Sequence, residues 1–420
     1  MSDVSEAIAR VHRAEWARVV ASLTRRFGDL DLAEEMAAEA FAVAVERWPA
    51  DGVPPSPGAW ITTTANRRAI DRLRRESRRD HKQQEAQMLH DDTPAEPLGA
   101  VEDDRLRLMF VCCHPALATE ARVALTLRLV GGLSVPQIAS AFLVQEATVG
   151  QRITRAKAKI KAAGIPYRVP SSDDLPARTS GVLTVLFLVF NEGYLSSDPD
   201  GEAVRSDLTL EAIRLTRLLR TLLPDDGEVV GLLALMLLTE ARRAARVSTT
   251  GELVGLDAQD RTSWDAPMIA EGHALVRARV AAVAAGQGRP GRYQLLAAIN
   301  AVHTSAAGVA ETDWSSVVQL YDQLARVDRS PVVALNRAVA IAELDGPQVA
   351  LAVVDGLDPS TGSGRGLAGY HAYHAVRADL LRRLGRSADA RAAYERAIGL
   401  ARNRAEIAAL VRRRDELGRA

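Results

Sequence analysis

Apolar residues recur at spacings of three and four along most of this chain, whereas the alternation of apolar and polar residues that marks a β-strand is hardly visible. The two most apolar runs, at residues 182–190 and 229–238, are each about half of the roughly 20 residues that a membrane crossing needs. We therefore predict an all-α protein in which both runs form buried helices and no segment spans a membrane.

Clusters of proline and glycine interrupt the helical pattern at residues 51–58, 91–97, 165–176 and 286–291. A length of 420 residues predicts three or four domains. Together these signals predict a helical domain at 1–90, a linker at 91–103 and a small domain at 104–166. A helical extension at 167–290 and a repeat region at 291–420 follow.

Small and aromatic residues near the C-terminus follow the offsets of a tetratricopeptide repeat, a helical hairpin with a period of about 34 residues. These residues are Ala378, Leu381, Gly385, Ala390, Tyr394 and Ala397. Residues around Ala338, Gly346 and Ala350 repeat the spacing more loosely. We predict an array of such repeats, with ordinary helical hairpins as the alternative.

Residues 132–161 carry the sharpest local signal, two short helices separated by a tight break. Ser134 and Gln137 form a capping box, and Pro136 lies in the first turn of a helix, where its missing amide hydrogen does no harm. After a break at 143–145, a second helix is predicted with a buried stripe composed of Val149, Ile153, Ala156 and Ile160. This pattern is typical of a helix-turn-helix.

The second helix of this motif has a polar, cationic face that contains no carboxylate. That face consists of Thr148, Arg152, Arg155 and Lys159, with Gln151 on its edge. A recognition helix in the DNA major groove has this character, with donors near base edges and cations near phosphates. A merely solvated basic face is the alternative.

Residues 57–82 hold eight basic residues against three acidic ones, a local excess typical of phosphate binding. As a helix, this segment would bury Ile61, Ala65, Ala69 and Leu73. Trp60 would then emerge among arginines, where an aromatic ring can stack on an unpaired base. In the alternative, Trp60 folds back and packs against the protein.

Acidic residues crowd a short upstream segment, with Asp31, Glu34, Glu35 and Glu39 beside the apolar Leu32, Met36 and Phe41. The net formal charge of the chain is zero, so a charged partner must be bound by local patches such as this one. We predict a surface for a basic protein partner, with solvated carboxylates as the alternative.

Other chemistry is poorly represented in the sequence. The only two cysteines, Cys112 and Cys113, are adjacent and therefore poorly placed for an unstrained disulfide, and no secretory signal opens the chain, so we expect a reducing cytoplasm. With His114 they could suggest a metal site, but a second pair of ligands is missing, and we favour a helix end packed into a core. No phosphate-loop, HExxH or GxSxG motif occurs, so we expect neither catalysis nor a metal or cofactor.

Taken together, three segments resemble regions 2.2, 2.3 to 2.4 and 4.2 of extracytoplasmic-function (ECF) sigma factors. They read DLDLAEEMAAEAFAVAVERW, PGAWITTTANRRAIDRLRRE and GGLSVPQIASAFLVQEATVGQRITRAKAKI. The resemblance covers about residues 8–166, and it identifies the domains at 1–90 and 104–166 with sigma regions 2 and 4. It implies that core RNA polymerase and promoter DNA are the partners.

The resemblance also implies roles for individual residues. In region 2.2, Asp31, Glu34, Glu35 and Glu39 would bind the basic coiled coil of the largest polymerase subunit. In region 2.4, Asn66 would read an extruded promoter base and Asp71 would be structural, while Trp60, Arg67, Arg74 and Arg78 would bind and open the downstream element. In region 4.2, the upstream element would be read by Gln145, Thr148, Gln151, Arg152, Arg155 and Lys159. Gln145 departs from the usual Ser or Thr at the helix cap.

About 250 residues extend past the usual end of the family. The motifs VCCHPAL and RADLLRRLGRSADARAAYERA resemble a subgroup with a tetratricopeptide-type extension, which implies regulation in cis by that extension. The repeats would hold a protein, a peptide or the chain's own sigma domains. For Asn191 to Tyr194, an oddly polar helix end, we expect a structural turn against the sigma domains, with a ligand site as the alternative.

Two rival functions remain at this point. A helix-turn-helix regulator with a helical sensor domain would explain residues 132–161 and the extension, but not the acidic segment or the basic helix after it. A helical scaffold would explain the C-terminal half alone.

Overall fold

A computed structural model describes residues 3–79, 98–142, 144–171, 173–195, 204–248, 253–357, 367–401 and 403–417. In these ranges the chain forms nineteen α-helices and two 3-10 segments, Arg261–Ser263 and Leu367–Gly369. Its extended backbone pairs there only at an isolated bridge between Val247 and Leu253. The predicted all-α class is confirmed. The chain divides into two compact units, Met1–Val189 and Phe190–Ala420.

The first unit begins with three mutually packed helices, α1 (Asp3–Phe27), α2 (Leu30–Asp51) and α3 (Pro57–Arg79). Gly28, with φ +69°, makes the turn into α2, and the Asp29 carboxylate caps that helix by accepting from the amides of Asp31 (2.8 Å) and Leu32 (3.0 Å). The core between the helices consists of Trp16, Val20, Leu23, Met36, Phe41, Trp48, Ile61, Ala65 and Ala69. The polar faces of α2 and α3 are thereby turned away from this core.

The first unit continues with α4 (Leu98–Cys112), α5 (Thr119–Leu129), α6 (Val135–Phe142), α7 (Glu146–Ala162) and α8 (Leu175–Tyr194), whose last residues lie across the unit boundary. Both α4 and α5 pack against α1, while α6 and α7 pack against each other and against α5. Cys112 and Cys113 are buried free thiols at the end of α4, and Cys113 Sγ lies 3.3 Å from Thr126 Oγ1. This confirms the prediction of a helix end packed into a core.

The second unit is built around α10 (Gly227–Glu240), which packs against α9 (Ser206–Leu222), α12 (Ala266–Ala284) and α13 (Arg292–Ser305). Every residue of α10 from Val229 to Glu240 is buried, as expected for a helix that is apolar on all sides. Gly231 permits the close approach of α13, because a Cβ there would lie 2.5 Å from the amide nitrogen of Gln294. The predicted burial of residues 229–238 is confirmed.

A short helix, α11 (Arg243–Arg246), lies between α10 and α12 in the chain, and six further helices come after α13. They are α14 (Trp314–Val327), α15 (Pro331–Leu344), α16 (Pro347–Gly356), α17 (His371–Arg383), α18 (Ser387–Leu400) and α19 (Arg404–Glu416). From α13 onward, each helix packs against the next one in the chain. Gly385, with φ +71°, turns α17 into α18, and Ala378, Tyr394 and Ala397 are fully buried between them. The tetratricopeptide assignment itself stays a prediction.

In the part of the chain that the structure describes, no helix combines the length and apolarity that a membrane crossing requires.

Candidate nucleic-acid interface and the acidic face of α2

The predicted helix-turn-helix is formed by α6 and α7. The capping box at the start of α6 is confirmed, since the Ser134 amide donates to Gln137 Oε1 at 2.8 Å and the Gln137 amide donates to Ser134 Oγ at 3.3 Å. In α7 the predicted stripe is buried, consisting of Val149, Ile153, Ala156 and Ile160. The local pattern therefore predicted both helices and the side on which α7 packs.

The polar face of α7 remains open to solvent. Gln151, Arg155 and Lys159 are exposed, and Thr148 and Arg152 are partly exposed. Among the described residues, the charged groups of Arg152, Arg155 and Lys159 have no ion-pair partner. Three uncompensated cations on one exposed face suit the phosphates and base edges of duplex DNA.

Gln145 begins α7 with extended backbone (φ −65°, ψ 143°), but its side chain donates or accepts no capping hydrogen bond. The departure from Ser or Thr noted in the sequence thus leaves the first amides of α7 without a side-chain acceptor from the cap residue. Gln145 is exposed and remains available to an external partner.

The basic helix α3 buries Ile61, Ala65 and Ala69 as predicted, while Leu73 is only partly buried. Arg67 and Arg74 are exposed on its opposite side. The side chains of residues 76–79, including that of Arg78, lie outside the described part of the chain. The exposed cations of α3 form a second candidate surface for phosphates.

Asn66 is bonded within its own unit: its Nδ2 donates to the Thr62 carbonyl at 3.0 Å, and its Oδ1 accepts from Arg26 Nη1 at 3.5 Å. Asp71 is exposed, and the structure shows its backbone carbonyl, rather than its carboxylate, accepting from Arg75 Nε at 3.2 Å. The structural role of the Asp71 carboxylate stays a prediction.

Trp60 follows the packing alternative rather than the exposed one. Its ring meets the buried ring of Trp48 edge-on, with 5.5 Å between the centroids, and the residue is only partly exposed. Edge-to-face aromatic contacts are stabilising, so this pair fixes the loop at residues 52–56 against the end of α2. Trp60 therefore remains partly accessible to solvent at the start of α3.

The four carboxylates of α2 that the sequence singled out are each paired with cations of the same unit. Glu39 pairs with Arg68 at 2.6 Å and Glu35 pairs with Arg72, both in α3. Glu34 pairs with Arg128 of α5 and with Lys157 of α7, and Asp31 pairs with Lys157 at 2.7 Å. The sequence predicted one acidic face, and the structure divides it between the basic helix α3 and the helix-turn-helix domain.

Lys157 belongs to this contact, and this was not predicted from the sequence. It is 8% exposed, and although burial alone would lower the pKa of its ammonium group, the carboxylates of Glu34 and Asp31 outweigh burial and raise that pKa. Its position could have been noticed, because it lies four residues after Ile153 and three before Ile160, at the edge of the buried stripe. A lysine there needs a carboxylate partner.

The polar helix end at Asn191 to Tyr194 packs within the second unit. A Cβ on Gly193 would lie 2.6 Å from the Thr209 amide nitrogen, so only glycine lets α9 approach this closely. The Arg246 guanidinium covers the Tyr194 ring and donates to the Tyr194 carbonyl at 2.8 Å. These contacts favour the structural turn, with α9 and α11 as its described neighbours.

Comparisons with known proteins match three parts of the chain to family models. Sigma-70 region 2 matches residues 12–79, sigma-70 region 4 matches residues 107–160, and a family of unknown function, DUF6596, matches residues 178–280. No solved structure shows significant similarity.

Two curated relatives extend these matches. Uncharacterized protein R00370 of Rhizobium meliloti (strain 1021) is 45% identical over 406 residues, which is 95% of this chain and 93% of that protein. The probable ECF RNA polymerase sigma factor SigI of Mycobacterium tuberculosis is 28% identical over 198 residues, which is 44% of this chain and 68% of that protein. The chain therefore belongs to the same family as R00370 of Rhizobium meliloti, and with sigma-70 regions 2 and 4 in one polypeptide it is a sigma factor.

Proposed function

We propose that this chain is an alternative sigma factor of the ECF type, which binds core RNA polymerase through α2 and promoter DNA through α3 and α7. This proposal rests on the division of the basic residues of α7 into those paired with carboxylates and those without such a partner. Lys157 faces Glu34 of α2 and Lys161 faces the cap residue Asp29, whereas the exposed cations have no carboxylate partner among the described residues; these are Arg152, Arg155 and Lys159. A helix with one side committed to its own protein and one open cationic side is suited to the DNA major groove.

The upstream promoter element is read by the exposed face of α7 in this proposal. Its N-terminal residues, Gln145 and Thr148, lie near base edges, as the N-terminal part of a recognition helix does. Gln151 and Arg152 follow one turn later, and an arginine is able to form a bidentate contact with guanine. Arg155 and Lys159 lie farther along, where phosphate contacts fix the register.

The downstream element and its melting are assigned to α3. Arg67, Arg74 and Arg78 hold the DNA backbone, and Trp60 contributes its partly exposed side chain at the start of the helix. Asn66 reads an extruded base after exchanging its hydrogen bonds to Thr62 and Arg26. The Arg26 contact is long at 3.5 Å, so losing that hydrogen bond costs little.

Core polymerase binds Asp31, Glu34, Glu35 and Glu39 in this proposal, and the protein acts in the cytoplasm. Basic groups on the polymerase would then replace the cations that now hold these carboxylates. Exposure of the side chains differs: 75% for Asp31, 48% for Glu35, 40% for Glu39 and 13% for Glu34. The first three are accessible to a partner in the folded chain.

The extension regulates activity in cis, and its C-terminal hairpins hold a protein or peptide partner. The second unit has cores of its own, one of which joins α15 to α19. A chain ending at Leu195 tests this assignment better than one ending before α8, because Arg178 of α8 donates to the Phe110 carbonyl at 2.5 Å in the first unit. We expect the shortened chain to bind core polymerase but to transcribe at a changed level. Loss of polymerase binding by a folded product would instead place the extension in the docking surface.

Promoter-dependent run-off transcription tests the function as a whole. Purified core polymerase is assayed with and without the full chain, on the DNA upstream of its own gene and on a scrambled sequence of equal composition. We expect specific transcripts on the first template alone. Tight binding to duplex DNA without polymerase, and no transcript, would support a helix-turn-helix regulator with a helical sensor domain.

A further inference from the structure

The N-terminal part of the acidic face of α2, at Asp31 and Glu34, is contacted by the helix-turn-helix domain of the same chain, and Glu34 is largely covered by it. Lys157 Nζ lies between the carboxylates of Asp31 and Glu34, and Glu34 is also held by Arg128. Lys161, at the end of α7, lies 3.7 Å from Asp29, the cap residue of α2. Basic side chains of α5 and α7 therefore lie along the first turns of α2.

Burial separates this contact from ordinary surface ion pairs. The side chains of Lys157, Glu34 and Arg128 are 8%, 13% and 21% exposed. Exposed pairs contribute little to stability, but a buried ammonium or carboxylate without its partner is strongly destabilising. Lys157 and Glu34 therefore hold each other in place, and Glu34 becomes accessible only when α7 leaves.

Close packing beside the ion pairs holds the two domains together. Gly132, in the turn between α5 and α6, has φ +74°, and a Cβ there would lie 3.0 Å from both His12 and Trp16 of α1. Trp16 Nε1 donates to the Arg128 carbonyl at 3.1 Å, and the Arg128 guanidinium lies over the Trp16 ring at 5.7 Å from its centroid. Trp16 is 3% exposed, so separation of the domains would uncover an aromatic side chain.

We propose that the N-terminal part of the acidic face of α2, around Glu34, has two mutually exclusive occupants, the chain's own helix-turn-helix domain in the free protein and a basic protein surface of core polymerase in the complex. This inference rests on the proposed function. Lys157 and Arg128 then act as internal substitutes for the basic groups of polymerase. Asp31, Glu35 and Glu39 make the first contact, and Glu34 is captured once Lys157 withdraws. The apparent affinity for polymerase is reduced by the fraction of molecules in which the face is covered.

Carbodiimide cross-linking reports directly on the covered state, because the reagent joins amines to carboxylates that are in contact. The full chain is treated alone and with saturating core polymerase, without DNA, and the peptides are identified by mass spectrometry. We expect links from Lys157 to Asp31 or Glu34 and from Lys161 to Asp29 in the free chain, and their loss in the complex. Links of equal yield in the polymerase complex would overturn the proposal.

Charge variants test whether the contact opposes polymerase binding. Lys157→Glu introduces repulsion, and Lys157→Met removes the charge while keeping an apolar stem of similar length. Arg47→Met is the matched control, since it removes one positive charge from an exposed position of α2 that has no ion pair among the described residues. Circular dichroism and thermal unfolding establish that each variant is folded.

We expect Lys157→Glu to bind core polymerase about 3- to 10-fold more tightly than the original chain, with Lys157→Met in between and Arg47→Met unchanged. The link from Lys161 to Asp29 should fall in the same order. If both Lys157 variants are folded and bind no more tightly, the proposal is overturned while the sigma role stands. If neither the original chain nor any variant binds polymerase, the proposed function fails and this inference fails with it.

Discussion

The ammonium group of Lys157 and the carboxylate of Glu34, 123 residues apart in the chain, form a largely buried ion pair between α7 and α2. One helix belongs to sigma region 2 and the other to the helix-turn-helix of region 4. The basic residues of α7 therefore fall into two groups, those that bind carboxylates of the same unit and those on the exposed face that are available to bind DNA. The predictions for individual residues depend on this division.

Arg152→Ala should relax the preference for one upstream base pair. Arg152 is partly exposed and has no carboxylate partner among the described residues, so its loss should leave the fold intact. A bidentate contact with guanine contributes about 1 to 3 kcal/mol of discrimination. Transcription from a library of promoters randomised at each upstream position measures this effect. An equal loss on every promoter would reassign Arg152 to phosphate binding.

Gln145→Ser should stabilise the chain by about 0.5 to 1 kcal/mol. The backbone of Gln145 already has the extended geometry of a helix cap, and its own side chain makes no capping bond. A serine hydroxyl would accept from a free amide in the first turn of α7. Urea unfolding followed by circular dichroism measures the gain.

Gln145→Ala is the control for the cap, because alanine removes the glutamine side chain without adding an acceptor. We expect its midpoint in urea to match that of the original chain within a few tenths of a kcal/mol. A comparable loss of stability in both variants would mean that the Gln145 side chain already stabilises the helix start in solution.

The helix-turn-helix was predictable from sequence because its signals are local. The capping box of Ser134 and Gln137 and the stripe from Val149 to Ile160 each lie within one or two helical turns. Backbone hydrogen bonding and helical periodicity act over the same distance, so pattern and structure agree. The same reasoning correctly gave Ile61, Ala65 and Ala69 on the buried face of α3, whereas Leu73 is only partly buried.

The partners of the charged residues were not predictable, because they are set by tertiary packing. The pairing of Glu34 with Lys157, and that of Glu35 with Arg72, joins residues on different helices. Spacing along one helix carries no information about which neighbouring helix will face it. The orientation of Trp60 was undecided for the same reason, since it depends on where the α2 residue Trp48 lies.

Trp60→Ala should slow promoter opening more than it weakens promoter binding. The ring of Trp60 packs on Trp48 at the start of α3, and its removal should also cost about 1 to 3 kcal/mol of stability for a partly buried aromatic side chain. Permanganate footprinting on a duplex promoter measures opening, and a template with a preformed bubble provides the comparison. We expect the defect on the duplex and little defect on the bubble.

Trp60→Phe serves as the control for packing, because phenylalanine keeps an aromatic contact with Trp48. If this variant restores stability but not opening, the indole itself acts on DNA. Equal defects of Trp60→Ala on both templates would show instead that Trp60 acts only by supporting the fold.

The second unit should lose stability in mild acid through His303. Burial, followed by the positive charges of Arg242 and Arg261, lowers the pKa of His303 to about 4. As the pH falls, His303 is therefore protonated near pH 6.5 in the unfolded chain, but only near pH 4 in the folded chain. The contribution of His303 is fully present above pH 6.5 and is lost as the pH falls toward 4, by up to about 3 kcal/mol.

His371 provides a control of opposite sign in the same unit. A hydrogen bond of 3.0 Å between His371 Nε2 and Glu406 raises the pKa of His371, so its contribution is present at low pH and is lost as the pH rises through that raised pKa. Urea midpoints measured between pH 7.5 and 4.5, with tryptophan fluorescence reporting through Trp314, 5.3 Å from the His303 ring, should separate the two effects.

In His303→Gln the loss of stability with falling pH becomes shallower, because the buried imidazole that must stay neutral in the folded chain is gone. In His371→Gln the loss of stability becomes steeper, because the protonated imidazole that is stabilised by Glu406 at low pH is gone. Identical slopes in both variants would mean that neither histidine governs the acid response, and that carboxylate protonation accounts for it.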